Sequence, residues 1–134
     1  MQALGIARAS LECAVAYAQT RKTFDAPIAK HQAIQFMLAD MKTKIEASRA
    51  LTWKTAWEAD NGVRNTESAA HAKRFAADTA MEVTTDAVQV YGGYGYSEEY
   101  PVARLMRAAK VMQIYEGSSQ VQRMIIGREI TREL

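Results

Sequence analysis

The chain has 134 residues, 49% of them hydrophobic, which is enough for one domain around one core. Its 17 basic and 15 acidic residues are mixed along the chain and leave a net charge of +2, which gives no warrant for nucleic-acid binding. A single cysteine, Cys13, excludes an internal disulfide and a cysteine-cluster metal site, and fits a reducing compartment.

Proline occurs only at Pro27 and Pro101, so long stretches lack the strongest helix breaker. Good helix formers are abundant, and composition favours an all-α chain. No apolar run reaches the ~18 residues of a membrane span. Arg8 and Glu12 interrupt the N-terminal segment, which does not read as a signal peptide. Met1 opens directly into helical pattern, as expected of a domain cut from a longer protein.

The first helical stretch covers residues 2–20 and presents Leu4, Ala7, Leu11, Ala14 and Ala18 at spacings of three and four. Cys13 lies in its apolar run and reads as a packing residue, with nothing nearby to depress its pKa. A loop follows over residues 21–29, where Asp25 and Pro27 supply turn chemistry. Arg21 and Lys22 stand at the helix end with Phe24 beside them. They either compensate the helix dipole or clamp a phosphate, which a guanidinium matches bidentately.

The second stretch covers residues 30–60 with a stripe of Ile34, Leu38, Met41 and Ile45. It would be about 45 Å long. Asn61 and Gly62 end it, with glycine suited to the left-handed cap. Thr66 and Ser68 then offer N-caps for a third stretch running to about residue 90. Its face of Ala69, Ala72, Ala76, Ala80, Val83, Ala87 and Val90 permits close helix approach. Gly92 and Gly93 stop it. The segment 89–95 holds three glycines within four residues, and is either a helix cap with a tight turn or a bare backbone approached by a phosphate or flat ring. No strand precedes it and GxGxxG spacing is missing, so a Rossmann-type fold is not supported.

A shorter helix follows Pro101. The last begins near Ser118 or Ser119, where Ser119 and Gln122 have capping-box spacing. Glu116 falls between apolar Ile114-Tyr115 and this helix start. It is either a favourable charge at a helix N-terminus or a carboxylate whose pKa an apolar pocket would raise for general-base work. Long antiparallel helices with short connections predict an up-down four-helix bundle with an additional short helix and no sheet. Ile34, Leu38, Met41, Ile45, Ala76, Ala80 and Val83 are its expected core. Trp53, Trp57, Met112 and Ile126 are expected to be exposed apolar residues marking an interface.

Taken together, Gly5-Ile6-Ala7-Arg8, Arg21-Lys22-Thr23-Phe24, His31-Gln32-Ala33-Ile34, Gln89-Val90-Tyr91-Gly92-Gly93, Tyr100-Pro101-Val102 and Ile114-Tyr115-Glu116-Gly117 closely resemble the C-terminal domain of the acyl-CoA dehydrogenase family. The resemblance covers essentially the whole chain. It implies a four-helix domain, with the family's N-terminal helical and middle β-domains outside residues 1–134. It implies an FAD-dependent oxidation of acyl-CoA to trans-2-enoyl-CoA, with Glu116 as the base for the α-proton. Some branches carry the glutamate on the first helix; with the Glu116 slot occupied, this chain looks like the medium/short-chain-like main branch.

By the same resemblance, Arg21 meets the FAD pyrophosphate with Phe24, His31 and Gln32 alongside, and Gln89 and Gly93 line the adenosine end, all towards a neighbouring subunit's flavin. Ser118, Ser119 and Gln120 fall to the flavin of the same subunit. Gly117 leaves room for the thioester, and Arg64 and Thr66 fall near CoA and cofactor. Implied partners are acyl-CoA, further copies in a homodimer or homotetramer, and an electron-transfer flavoprotein. The implied compartment is the bacterial cytoplasm or the mitochondrial matrix. Ser118 replaces the family's usual threonine but keeps the hydroxyl, and Ala108 stands where an aspartate is common. The isolated domain is not expected to be active alone. A stand-alone helical oligomerisation or binding module and an acyl-CoA oxidase are the competing readings.

Overall fold

The computed structural model describes residues 1–132, and in it the periodic stretches are helices. Helix α1 spans Gln2–Thr20, α2 Gln32–Asp60 and α3 Thr66–Tyr91. A single turn, α4 (Gly93–Tyr96), leads to α5 (Pro101–Met112) and α6 (Ser119–Ile130). Helix α3 is the hub and packs against α1, α2, α5 and α6. Its alanine face explains that position: Ala76, Ala80, Val83 and Ala87 are buried and short enough for neighbours on several sides. Met41, Ile45 and Val102 fill the space between. Met41, Ile45, Ala76, Ala80 and Val83 are core, as expected, whereas Ile34 and Leu38 are half-buried and pack on its edge. Helix α2 lies on α1 and α3 and leaves another flank open. No described helix is long and apolar enough to cross a membrane.

Several local details depart from the sequence reading. A two-residue antiparallel ladder pairs β1 (Lys22–Thr23) with β2 (Ala26–Pro27), so the helical domain carries one small hairpin. Phe24 and Asp25 turn it with φ of 51° and 61°, the left-handed pair a two-residue hairpin loop requires. A 3₁₀ turn, Ile28–Lys30, follows, and α2 therefore starts at Gln32 and not at residue 30.

The caps shift as well. Asn65 precedes α3, while Thr66 is already helical. The hydroxyl of Ser68 donates to the Glu58 carboxylate. Ser118, not Ser119, caps α6, its Oγ accepting from the Val121 N–H at 3.3 Å. Gly92 ends α3 with φ of 61°, but Gly93 opens α4 and not a loop. Trp53 and Trp57 are each 61% exposed, whereas Met112, which packs against the core, and Ile126 are half-buried. Cys13 is half-buried, and burial, with the Glu12 charge second, pushes its thiol pKa up. That is the environment of an unreactive thiol.

Candidate functional site

Glu116 lies in the turn between α5 and α6, as its place in the sequence suggested. Its backbone is left-handed, φ 55°, and Gly117 follows at φ 82°. A non-glycine residue in that region costs roughly 1–2 kcal/mol, so other contacts must hold the turn. Lys73, from α3, donates through Nζ to the carbonyls of Met112 at 2.9 Å and Gly117 at 2.6 Å. Gln122 Nε2 donates to the Gly117 carbonyl at 3.1 Å and the Glu116 carbonyl at 3.4 Å. Hydrogen bonds to a charged group are worth about 1.5–3 kcal/mol each, so the pair from Lys73 is sufficient to offset the backbone strain.

Asp78 secures the outer side of the turn. Its Oδ1 accepts from Gln113 Nε2 at 2.8 Å and from Ser119 Oγ at 2.9 Å. Tyr115 ties the turn to α1 by donating its hydroxyl to Gln2 Oε1 at 2.6 Å. Beneath the turn is a cavity of about 390 Å³, walled mainly by apolar groups such as Ala72, Ala76, Ala77 and Met112, with Lys73 and Glu116 at its edge. Glu116 itself is exposed. Burial lowers the pKa of Lys73, against the charges of Asp78 and Glu116, which raise it.

A second cavity, about 490 Å³, brings Arg21, Gln89 and Gly93 together with Tyr17, Gly92 and Tyr94. These are residues that lie far apart in sequence; the packing of α1 on α3 joins them. The Arg21 guanidinium lies 5.7 Å from the Tyr94 ring centroid and has no carboxylate partner among the described residues. A side chain added at Gly92 or Gly93 would meet nothing within 4 Å, so bare backbone faces open space. A cation, exposed peptide groups and an aromatic wall are the elements that hold a dinucleotide phosphate and its base.

The remaining residues distribute unevenly. Phe24 sits at the hairpin tip, 93% exposed, with its ring edge-on to His31 at 6.2 Å. His31 Nε2 lies 2.8 Å from Thr23 Oγ1, so its ring braces the hairpin, and Gln32 is exposed at the start of α2. Ser118, Ser119 and Gln120 share a third groove with Asp78, Arg74 and Arg123. There Ser118 is engaged as a cap and Ser119 by Asp78, while Gln120 is exposed. Arg64 lines a different groove, beside Glu58 and His71, and pairs with Glu129 at 2.7 Å. Thr66 is exposed at the start of α3, and neither residue lines the cavity of Glu116. Arg107, whose neighbour Ala108 leaves it no adjacent carboxylate, pairs with Glu98 at 3.1 Å.

Sequence reasoning missed Lys73, Asp78, Tyr94 and Tyr115. The signal for Lys73 was a cation, next to Arg74, set within the alanine-rich run of α3.

The family profile "Acyl-CoA dehydrogenase, C-terminal domain" matches residues 1–131. The chain belongs to this family. The short-chain-specific acyl-CoA dehydrogenase of Megasphaera elsdenii is 56% identical over 131 residues, covering 98% of this chain and 34% of that protein. The structure of butyryl-CoA dehydrogenase from Megasphaera elsdenii superposes with a TM-score of 0.97 at 56% identity, over 98% of this chain and 34% of that one. A structure described as the FAD complex of PigA matches with a TM-score of 0.92 at 26% identity, over 96% of this chain and 33% of that one. The chain thus spans about a third of the length of the relatives it matches.

Proposed function

We propose that this chain serves as the C-terminal domain of an FAD-dependent acyl-CoA dehydrogenase, with Glu116 as the base that removes the α-proton of the acyl thioester. The observation that carries the reading is the placement of the Glu116 carboxylate at the edge of an apolar cavity, on a left-handed backbone that Lys73 and Gln122 hold. The flavin, when bound, accepts the hydride that leaves the β-carbon. Everything else falls to the polypeptide. The apolar walls would take the acyl carbons and Glu116 at their edge the α-proton, while the space a Cβ at Gly117 would fill is taken by the Gln122 amide, so that glycine serves the turn. Arg64 and Thr66 are assigned to the CoA and cofactor side more loosely, since Arg64 lines a separate groove and Thr66 is exposed at the start of α3. Substitution of Glu116 tests the assignment, as developed below.

We assign FAD to the second cavity, where Arg21 would take the diphosphate and Gln89 and Gly93 the adenosine end, with Phe24, His31 and Gln32 assigned to the cofactor from the hairpin and the start of α2 outside its lining. Ser118, Ser119 and Gln120 would serve the flavin from the third groove, Ser119 through its hold on Asp78. Replacing Arg21 with alanine removes the one cation among the described residues that line the second cavity. In the holoenzyme carrying this domain, Arg21→Ala is expected to lower the FAD retained after dialysis at least ~10-fold, on the scale of one lost charge-assisted phosphate contact. Unchanged flavin content would remove Arg21 from the cofactor site.

Self-association belongs to the same reading. Trp53 and Trp57 stand one helical turn apart on the open flank of α2, and large exposed aromatics on one face mark a contact surface. Light scattering at high protein concentration is expected to give a mass at least twice that of the chain. A clean monomer would count against a homodimer or homotetramer built on this face. An electron-transfer flavoprotein is the proposed electron acceptor of the complete enzyme.

A further inference from the structure

We propose that Lys73 is the positioning residue for Glu116: its ammonium ties together the two ends of the turn that carries the carboxylate. The inference rests on the reading of Glu116 as the base.

Lys73 is anomalous in the sequence. Lys73 stands on α3 among Ala70, Ala72, Ala76 and Ala77, all buried, in the helix that forms the hub of the fold. A lysine in such surroundings needs partners, because burial disfavours its charge and lowers its pKa. It finds two. One is the carbonyl of Met112, the last residue of α5, where helix geometry leaves carbonyls without partners. The other is the carbonyl of Gly117, directly after Glu116. A simple cap of α5 would need the first bond only. The second crosses the turn, so one cation on the rigid central helix fixes both its start and its end.

Backbone bonds do little to hold that end. Among the described residues, the amides of Glu116, Gly117 and Ser118 make no backbone hydrogen bond, and Ser119 N–H reaches only back to the Gln113 carbonyl, at 3.0 Å. Gln122 holds the carbonyls of Glu116 and Gly117, and Asp78 holds the flanking side chains of Gln113 and Ser119. The Lys73 ammonium has a third N–H, and the Glu116 charge acts on it across the cavity edge both residues line. Lys73 thus acts on the reaction through the placement of Glu116.

The test uses the FAD-containing dehydrogenase that carries this domain. Lys73→Met keeps the apolar stem and removes the donors; Lys73→Arg restores a cation with donors. Three quantities are read: the rate of flavin bleaching by a short-chain acyl-CoA in a single turnover, the dissociation constant of that acyl-CoA from spectral titration, and amide exchange at Tyr115 and Ser119 against Val83 and Ala87 of α3. Lys73→Met is expected to slow bleaching at least ~10-fold, since a misplacement of about 1 Å can cost more than that, with the dissociation constant changed less than ~3-fold. Exchange at Tyr115 and Ser119 should rise at least ~10-fold while the α3 amides stay protected, the mark of a local opening. Lys73→Arg should recover most of both losses. If Lys73→Met does not accumulate as holoenzyme, Lys73→Gln, which keeps an N–H donor group but no charge, should move all readouts in the same direction by less.

Wild-type bleaching or unchanged turn exchange in Lys73→Met, with Glu116→Gln inactive, would overturn the positioning role and leave the base in place. Wild-type bleaching in Glu116→Gln would instead overturn the base, whatever Lys73→Met does to exchange. A uniform rise in exchange, α3 included, without recovery in Lys73→Arg would reduce Lys73 to a general packing residue and overturn the proposal.

Discussion

If Glu116 is the base proposed above, replacing it by glutamine in the complete protein is expected to slow flavin bleaching by acyl-CoA at least ~10²-fold, the usual scale for losing a positioned general base. The substitution keeps size, polarity and the left-handed backbone that Gly117 and Gln122 accommodate, so the turn should survive it. Acyl-CoA should still bind, because the apolar cavity wall is supplied by Ala72, Ala76, Ala77 and Met112 and not by the carboxylate. A loss confined to the chemical step is therefore the expected signature. Stopped-flow bleaching at saturating acyl-CoA measures it. A variant that bleached at the wild-type rate would leave Glu116 as a favourable charge at the start of α6 and move the base elsewhere in the protein.

The largest expected effect on stability is at Gly95. This residue is buried where α4 folds back on α3, and its N–H donates to the Gly92 carbonyl at 2.9 Å. A Cβ placed there would lie 2.4 Å from the Val88 carbonyl oxygen and 2.8 Å from Tyr91 Cβ. Neither atom can swing aside, because both belong to the ordered last turns of α3. Gly95→Ala must push α4 off the helix, at a cost of about 3 kcal/mol, the upper end of ordinary overpacking. That corresponds to a fall of roughly 10 °C in Tm for a chain of this size. Because Tyr94 precedes Gly95 and walls the Arg21 cavity, flavin retention should fall with stability. Gly93→Ala is the control: its added Cβ meets nothing within 4 Å, so its Tm should stay within roughly 2 °C of the parent. Thermal unfolding followed by circular dichroism checks both. Equal melting of the two variants would show that the α3–α4 contact is not as tight as its geometry implies.

The parts of the molecule that were legible in the sequence are those governed by periodicity. The spacing of Met41 and Ile45, and of Ala76, Ala80 and Val83, repeats over several turns and places these residues in the core of the bundle. Ile34 and Leu38 share that spacing but sit at the edge, because periodicity gives a face and not the extent of the neighbour that covers it. The hairpin at Lys22–Thr23 and Ala26–Pro27 was illegible, since two residues per strand are too few to show alternation. The caps were misplaced for a related reason. Ser68 and Ser119 have the chemistry of helix caps, but each finds a stronger acceptor brought near by packing, Glu58 for one and Asp78 for the other.

The candidate site divides the same way. Glu116, Arg21, Gln89 and Gly93 were found through motif resemblance, and the packing of α1 on α3 does gather the last three around one cavity. Lys73 and Asp78 act across 44 and 41 residues of sequence respectively, towards Gly117 and Ser119, and no local pattern announces such contacts. Arg64 was assigned to the substrate side from resemblance, yet its guanidinium is held by Glu129 over another groove.

The central claim, that Glu116 is the base for the α-proton, is tested most directly by proton exchange and not by oxidation. A thioester whose β-carbon cannot give up hydride still has an acidic α-position. Held by the FAD-containing enzyme in D₂O, such an acyl-CoA should exchange its α-protons for deuterium in the wild-type protein, read by mass spectrometry. Glu116→Gln is expected to bind the same compound but to exchange its α-protons at least ~10²-fold more slowly. Exchange at the wild-type rate in that variant would contradict it.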